Sequence, residues 1–278
     1  MKYLILIFCL VISFSSKGQV YYRQSEFGIG GGASNYFGDL NQDYSFADAK
    51  YSANVFYKYN FTPYISLKAM GSFGQISFDD KLNKNEYQRL RNLNFKNNIY
   101  EFAVIGEFNF FEYNIEDLEH RFTPFISLGM GMFLYNPYTT YQGKKTFLRP
   151  LGTEGQGYSE YKDRVYANTA VSFPIGAGFK FWLSKGMTLN FDVIHRITTT
   201  DYIDDVSATY VGISKFQNPV PSPYPLPAAE LQDRSLEISN TAIGIEGKQR
   251  GISTTRDQFM FVQLGISYRL PTYRCPSR

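Results

Sequence analysis

The sequence predicts an all-β fold, an eight-stranded antiparallel transmembrane β-barrel with long extracellular loops. Three observations predict it. Apolar residues occupy every second position in eight stretches, each stretch is long enough for a tilted strand to cross a bilayer, and the connections between them are alternately short and long. Because side chains of a strand alternate between its two faces, one face of each stretch suits lipid and the other suits a small polar lumen.

The last stretch shows the alternation most clearly. Its apolar positions run from Met260 through Leu264 to Leu270, and Gln263 and Arg269 fall between them. A two-sheet sandwich would also alternate, but it would place charges on its outer face, where these stretches carry large aromatic side chains. The eight predicted strands cover residues 25–35, 51–61, 64–77, 98–111, 122–134, 169–183, 187–198 and 258–270.

The connections between the predicted strands assign the two ends of the barrel. Short turns are predicted at Thr62-Pro63, at 112–121 and at 184–186, and every other connection is long. Outer-membrane barrels have short periplasmic turns and long extracellular loops, so both termini are expected in the periplasm. The long connections cover residues 36–50, 78–97, 135–168 and 199–257, and the proline-rich part at 218–229 is expected to be extended.

The N-terminus has the pattern of a secretory signal. Lys2 precedes an almost wholly apolar run over residues 3–14, and small residues follow at the usual cleavage positions. The run is too short to span a bilayer, which takes about 20 residues. We therefore expect residues 1–18 to be a signal peptide and residues 19–278 to form a single barrel domain.

The charge balance and the cysteines exclude some function classes. The chain carries a formal charge of +3, and loss of the signal peptide removes Lys2 and Lys17. The small remaining charge does not favour nucleic acid as a partner. Only Cys275 is expected to remain in the mature chain, which leaves no internal disulfide.

Nine charged residues have the parity of the lumen face. An eight-stranded barrel is only wide enough for side chains to fill it, so these four acids and five bases are expected to pair with one another as a closed plug. An ion or solute pore is the alternative. The predicted lumen charges are Glu26, Lys58, Lys68, Glu101, Glu107, Lys180, Asp192, Arg196 and Arg269.

Five acidic residues lie in or beside the predicted extracellular loops: Asp39, Glu154, Asp201, Asp204 and Asp205. Their carboxylates are predicted to accept hydrogen bonds from loop backbone and to form one cap over the barrel mouth. Calcium binding is the alternative, although their spacing does not match an EF-hand loop. The glycines of residues 151–157 are interpreted as turn glycines, because no phosphate-binding Lys-Ser/Thr pair follows them. No cofactor is expected.

The best candidate for catalysis is His195, with Asp192 and the loop acids nearby. Some outer-membrane hydrolases and acyltransferases combine a histidine with an acid and a serine. His195, however, has the parity of Phe191 and Val193, which places it on the lipid face. The sequence therefore predicts a protein that is not an enzyme.

Several segments resemble the PorG-like outer-membrane barrels of the type IX (Por) secretion system. The resemblance spans most of the mature chain, and the loop segments 151–157 and 200–207 are its most specific parts, because barrel periodicity does not dictate them. The matching segments are 34–40, 107–111, 151–157, 173–178, 200–207 and 266–270.

This resemblance implies a structural outer-membrane component that anchors the periplasmic ring of the secretion machine, a ring built with a PorK-like lipoprotein. The contact is expected on the periplasmic turn at 114–120, where Ile115 and Leu118 lie among acidic residues. The alternative function is a free-standing small barrel that serves as an adhesin, a receptor or a membrane stabiliser.

Overall fold

The computed structural model describes residues 24–114, 120–184, 186–217 and 226–270. The predicted signal peptide, Ile115, Leu118 and Cys275 lie outside the described residues.

Eight long strands close into an antiparallel barrel. Each pairs with its two neighbours around the ring, in the order β1-β2-β3-β4-β5-β8-β9-β10, and β10 returns to pair with β1. The predicted fold class is thus confirmed. The strands are β1 (Gln24–Phe37), β2 (Lys50–Asn60), β3 (Ile65–Asp79), β4 (Asn94–Asn109), β5 (Phe122–Leu134), β6 (Tyr138–Tyr141), β7 (Lys144–Phe147), β8 (Thr169–Ser184), β9 (Met187–Thr198) and β10 (Gln258–Leu270).

The bounds of the eight long strands agree with the predicted ones to within a few residues, and β4 differs most. It begins at Asn94, whereas the sequence predicts 98, because its first residues pair with the end of β3 up to Asp79. The segment Asn94–Asn97 is mostly polar and lacks the alternation of a lipid-facing strand. β3 and β4 therefore extend as a ribbon beyond the part of the barrel that carries the apolar face.

The outer face of the barrel is apolar and the inner face is polar. Leu128, Met130 and Phe102 point outward and are each more than 60% exposed, whereas Glu107 and Lys180 point inward and are buried. This is the arrangement of a barrel that spans a bilayer. None of the helices in the described part of the chain has the length and apolar character required to span a bilayer.

Glycines on the inner face make room for two phenylalanine rings. A Cβ atom at Gly28 would lie 2.3 Å from the Phe56 ring, and one at Gly178 would lie 2.7 Å from the Phe125 ring. Larger residues at these glycines would displace the rings from the lumen. The narrow interior is thus filled by aromatic side chains that lie opposite positions without side chains.

The two ends of the barrel differ in the length of their connections. At the turn end, residues 61–64 join β2 to β3, where the Thr62 hydroxyl accepts hydrogen bonds from the backbone of Tyr64 and Ile65. The loop end carries four long loops, L1 (38–49), L2 (80–93), L3 (135–168) and L4 (199–257).

These loops contain regular structure that the strand pattern did not predict. The hairpin β6–β7 in L3 joins the sheet through the pairing of Tyr138 with Lys96 of β4. The helices are α1 (Glu86–Arg91) in L2 and α2 (Ile213–Gln217) and α3 (Leu226–Gln232) in L4. The expectation of an extended chain over 218–229 is wrong for its last residues, since Pro227 lies in the first turn of α3, where a missing N–H costs no helical hydrogen bond.

A charge on the outer face should destabilise the barrel. Val104 lies at the middle of the outward row of β4 and is 41% exposed. We expect Val104→Arg to lower the free energy of unfolding in lipid vesicles by about 2–4 kcal/mol, since it places a cation in hydrocarbon near the midplane. The control Val104→Leu should fold normally, and equal stability of the two variants would contradict the assignment of this face to lipid.

Candidate functional site: the lumen plug and the loop cap

The lumen plug is a cluster of buried charges centred on Glu107 of β4. Its carboxylate lies 2.7 Å from the Lys68 Nζ, 2.6 Å from the Lys180 Nζ and 3.5 Å from the Lys58 Nζ. Lys68 also lies 3.3 Å from Asp192. β2, β3 and β8 therefore each contribute a lysine that meets the β4 carboxylate, and Asp192 of β9 joins the cluster through Lys68.

The lysines of the plug also contact neutral groups. Lys58 donates to Asn190 at 3.1 Å, and Lys180 donates to Asn109 at 2.8 Å. The Lys180 Nζ also lies 4.7 Å from the centre of the Phe125 ring. A buried ammonium group is tolerated only when such partners replace its water.

A second buried ion pair lies nearer the loop end. Arg196 contacts Glu101 at 3.1 Å, and Ser172 donates to the same carboxylate at 2.7 Å. The guanidinium also lies 4.2 Å from the centre of the Phe261 ring. These side chains are almost inaccessible to water, so they fill the cross-section at this level.

The two remaining predicted lumen charges lie near the turn end. Glu26 is buried and accepts hydrogen bonds from Asn60 and Ser267, each at 2.6 Å. Arg269 lies on β10, two residues after Ser267, and is half-buried at the turn end of the barrel. All nine predicted lumen residues thus have inward parity, and four acids and four of the five bases are buried.

The loop cap is the body formed by L1–L4 over the loop end. Apolar residues from all four loops pack with the last inward residues of the strands into one core. The loop residues of this core include Leu40, Leu93, Tyr135, Leu148, Leu151, Ile203, Val206, Val211, Phe216, Ala228 and Leu231.

The predicted loop acids hold the backbone of other loop segments. Asp39 of L1 accepts from the Ile252 N–H at 3.0 Å, and Glu154 of L3 accepts from the Ser207 N–H at 3.0 Å. Asp205 accepts from the hydroxyl of Thr153. The structure thus brings Asp39, Glu154 and Asp205 into one buried network, in which each carboxylate joins two loops or two distant parts of one loop.

Asp201 and Asp204 belong to the same network. Asp201 accepts from the Ser207 hydroxyl at 2.6 Å, and Asp204 accepts from the Val206 N–H at 2.9 Å. Both carboxylates are buried. Together they fix the L4 segment 200–207, one of the two segments that most specifically carry the resemblance.

Two buried arginines tie the network together, and sequence reasoning missed both. Arg91 forms a two-pronged contact with Asp80, with both N···O distances at 2.7 Å, and donates to the Asp39 carbonyl. Arg250 contacts Glu154 at 2.9 Å and donates to the Asp205 carbonyl at 2.6 Å. Neither has a local sequence signal, because their partners lie in other loops or far along the same loop.

Tyr36 connects Asp204 with one further carboxylate of the cap, that of Asp257. Its hydroxyl lies 2.6 Å from Asp204 and 2.9 Å from Asp257, yet it carries only one proton to donate. The second contact is a hydrogen bond only when that carboxyl is itself protonated. Burial, followed by the charge of neighbouring carboxylates, raises the pKa of Asp204 and of Asp257 well above the ordinary value.

Burial also raises the pKa of other cap acids. It raises the pKa of Asp201 to about 8 and the pKa of Asp39 to about 6. The pKa of Asp205 rises to about 6 for the same reason, against the opposing effect of the Arg250 charge. Part of the cap therefore binds protons more tightly when folded than when unfolded.

The alternative chemistries receive no support from the described geometry. Within the described ranges, no group of three His, Cys, Asp or Glu side chains is arranged to hold a metal ion. His195 lies on the outward face with its ring against Phe37 and Gln258, whereas Asp192 of the same strand points into the lumen. Gly152 and Gly155 have φ of 62° and 81°, as turn glycines do.

Removal of the Glu107 charge should destabilise the barrel. We expect Glu107→Gln to lower the free energy of unfolding by about 3–5 kcal/mol, because three buried ammonium groups lose their shared carboxylate. Urea unfolding in lipid vesicles measures this loss of unfolding free energy. Glu26→Gln is the matched control, with Asn60 and Ser267 as neutral partners, and it should cost less than half as much. Equal losses would show that the plug is not organised around Glu107.

Stability should fall as pH rises. A group with a raised folded-state pKa contributes stability that is complete below its unfolded pKa and is lost as pH rises through the folded value. The loss begins near the ordinary aspartate pKa of about 4 and ends near pH 6 for Asp39 and Asp205 and near pH 8 for Asp201. We expect the melting temperature in detergent to decline from about pH 4 to about pH 8.

Asp201→Asn should reduce the decline between about pH 6 and about pH 8, since the amide resembles the protonated acid. Asp43→Asn, at an exposed position of L1, is the matched control and should keep the full decline. A flat pH profile of the unchanged protein, or the same slope in Asp201→Asn, would refute the role of burial in this network.

Several solved barrel structures are similar to this chain. Neisserial surface protein A has 8% identity and a TM-score of 0.40, with 88% of this chain and 97% of that chain covered. Ail, the attachment invasion locus protein of Yersinia pestis, has 12% identity and a TM-score of 0.40, with 89% and 99% covered. The outer membrane enzyme PagL has 11% identity and a TM-score of 0.32, with 87% and 98% covered. These likenesses assign no activity to this chain.

No curated protein matches the sequence. A family model does match it, over residues 1–217, which is most of the chain. The matched range contains seven of the eight barrel strands complete and the segments 34–40, 151–157 and 200–207 of the loop cap. The chain belongs to the family described as a domain of unknown function, DUF6089.

Proposed function

We propose that this chain is a structural barrel of the outer membrane that anchors the periplasmic ring of the type IX secretion machinery. One observation carries the proposal. The loop segments with the specific resemblance to PorG-like barrels, 151–157 and 200–207, lie together in the buried core of the cap, where Glu154 accepts from the Ser207 and Ala208 N–H groups. The resemblance thus concerns residues that build one structure and is not a set of scattered matches.

The lumen plug supports a structural role. Glu107 and its three lysines are buried within the barrel, and Arg196 and Glu101 fill the next level. Such an interior has little room for solute and suits a protein that holds a position in the membrane.

The turn end is where a periplasmic ring would bind if the long loops are extracellular. The connection between β4 and β5 is fixed at its start by Tyr113, which is buried and whose hydroxyl lies 2.8 Å from that of Thr188 on β9. This contact holds the beginning of the connection against the barrel opening. In the proposal, Ile115 and Leu118 of that connection bind the PorK-like lipoprotein.

The second candidate is a free-standing barrel that acts through its loops as an adhesin or receptor. The observation that favours it is the cap itself, which has an apolar core at the loop end. Its surface carries exposed apolar residues such as Leu236 and Ile238, each 52% exposed. In this alternative the loop end, and not the turn end, makes the functional contact.

Two double variants at opposite ends of the barrel separate the candidates. We expect Ile115→Asp with Leu118→Asp to release the ring lipoprotein in co-purification from solubilised outer membrane and to block type IX secretion, because charges disrupt an apolar contact. Leu236→Asp with Ile238→Asp is the matched control at the loop end and should leave both unchanged. Heat-modifiable migration on gels checks that both variants are folded at normal levels.

The opposite results decide against the anchor. Intact secretion and ring recovery in the turn-end variant would reject the proposed contact. Loss of surface attachment in the loop-end variant, together with normal secretion after deletion of the gene, would favour the adhesin or receptor.

A further inference from the structure

An apolar groove crosses the outer face of the barrel on β2–β5. It has a volume of about 810 Å³. Two outward rows of paired residues form it: Val55, Gly71, Phe102 and Met132 in the row nearer the turn end, and Ala53, Phe73, Tyr100 and Leu134 in the row nearer the loop end.

The groove is concave because small residues lie between large ones. A Cβ atom at Gly71 would meet only the Val55 Cγ2, at 3.7 Å, so the space above this glycine is open. Phe73 and Tyr100 stand beside it, with ring centres 5.1 Å apart. The groove is thus long, apolar and shaped by the outward side chains of the membrane-spanning strands.

The groove continues at the loop end into a smaller pocket beside the hairpin β6–β7, and aromatic, amide and lysine side chains line this pocket. The two share Tyr100 and Leu134, and the pocket has a volume of about 310 Å³. The other residues that line it are Asn98, Tyr135, Asn136, Tyr138, Lys145, Phe147 and Asn168. This set contains three amides and one cation and no acid, which is the composition of an anion-binding headgroup site.

Lys145 is the charged group of this pocket. Its Nζ lies 3.8 Å from the centre of the Tyr138 ring and 4.9 Å from that of Phe147, which places the ammonium over two aromatic side chains. Among the residues that the structure describes, no carboxylate lies within the 4.0 Å of an ion pair with Lys145. The Asn136 Oδ1 is buried without a hydrogen-bond partner, so it can accept from a hydroxyl donor of a ligand.

The order of these features along the barrel matches a lipid. The apolar groove lies on the bilayer-facing surface, and the amides and the lysine lie directly above it toward the loop end. We propose that the groove and the pocket together bind one phosphate-bearing lipid of the leaflet at the loop end, with an acyl chain in the groove and the phosphate at Lys145. A soluble anion would leave the groove empty, and an apolar protein segment would leave the lysine without a counter-charge.

Native mass spectrometry of the delipidated full-length protein in nonionic detergent tests this site. The probes are phosphatidylglycerol, phosphatidylcholine with the same acyl chains, and inorganic phosphate. We expect phosphatidylglycerol to bind best, because the phosphate of phosphatidylcholine is neutralised by its own ammonium group. Lys145→Gln should weaken phosphatidylglycerol binding about tenfold by loss of a charge-assisted contact.

Gly71→Leu should weaken binding of both lipids, since its side chain fills the groove while the outer face stays apolar. Two matched controls should bind like the unchanged protein. Lys144→Gln alters the neighbouring lysine, which lies on the opposite face of the same hairpin. Gly106→Leu alters an outward glycine of β4 that does not line the groove. Heat-modifiable migration confirms that each variant is folded.

Three results would overturn the lipid site. Equal binding by Lys145→Gln and Lys144→Gln would remove the headgroup contact. Equal displacement of phosphatidylglycerol by inorganic phosphate from the unchanged protein and from Gly71→Leu would indicate a site for a free anion. A dimer of the unchanged protein that Gly71→Leu converts to a monomer would assign the groove to a second copy of the chain.

Discussion

The interior of this barrel depends on the contact between Glu107 and three lysines. An ammonium group buried without a partner costs several kcal/mol. The ammonium groups of Lys58, Lys68 and Lys180 all have the Glu107 carboxylate as a partner. The contact also favours the correct pairing of the strands. A slip of one residue in β2, β3 or β8 would turn its lysine toward lipid and leave the carboxylate of β4 with fewer partners. A single inward acid therefore contributes both to the charge balance of the lumen and to the register of its walls.

The aromatic residues of the lumen complement these charges. Phe56 and Phe125 occupy the level next to the plug, and each ring faces a glycine, Gly28 or Gly178, where a side chain would collide with it. The rings exclude water from the ion pairs and offer their faces to the ammonium groups. A narrow barrel can hold so many charges because their partners and the rings replace the water that they lose.

The sequence predicted the barrel well because the signal for a strand is local. The alternation of apolar residues with a period of two predicted all eight long strands. It also predicted which face carries the nine lumen charges, since parity alone decides whether a strand side chain points inward. It could not predict the loop cap. Arg91 and Arg250 have buried partners on other loops or far along the same loop, and the start of β4 at Asn94 depends on pairing with β3 and not on its own pattern. Acidic residues in the loops were identified by type, but only the folded chain shows which backbone groups they hold.

The plug and the cap close the barrel by different chemistry, and they lie at different heights. Lys58 and Glu107 are each two residues from the turn-end limit of their strand. The ion pairs of the plug therefore join the strands at the end where Tyr113 holds the β4–β5 connection. The cap at the other end is held by buried carboxylates that accept hydrogen bonds from the Tyr36 hydroxyl and from loop backbone. A change of pH therefore alters the charge of the loop cap, where burial raises the pKa of Asp39 and Asp205 to about 6 and the pKa of Asp201 to about 8. In the proposed anchor, the ring protein would therefore bind at the end of the barrel where buried ion pairs join the strands, and the proton-binding cap lies at the opposite end.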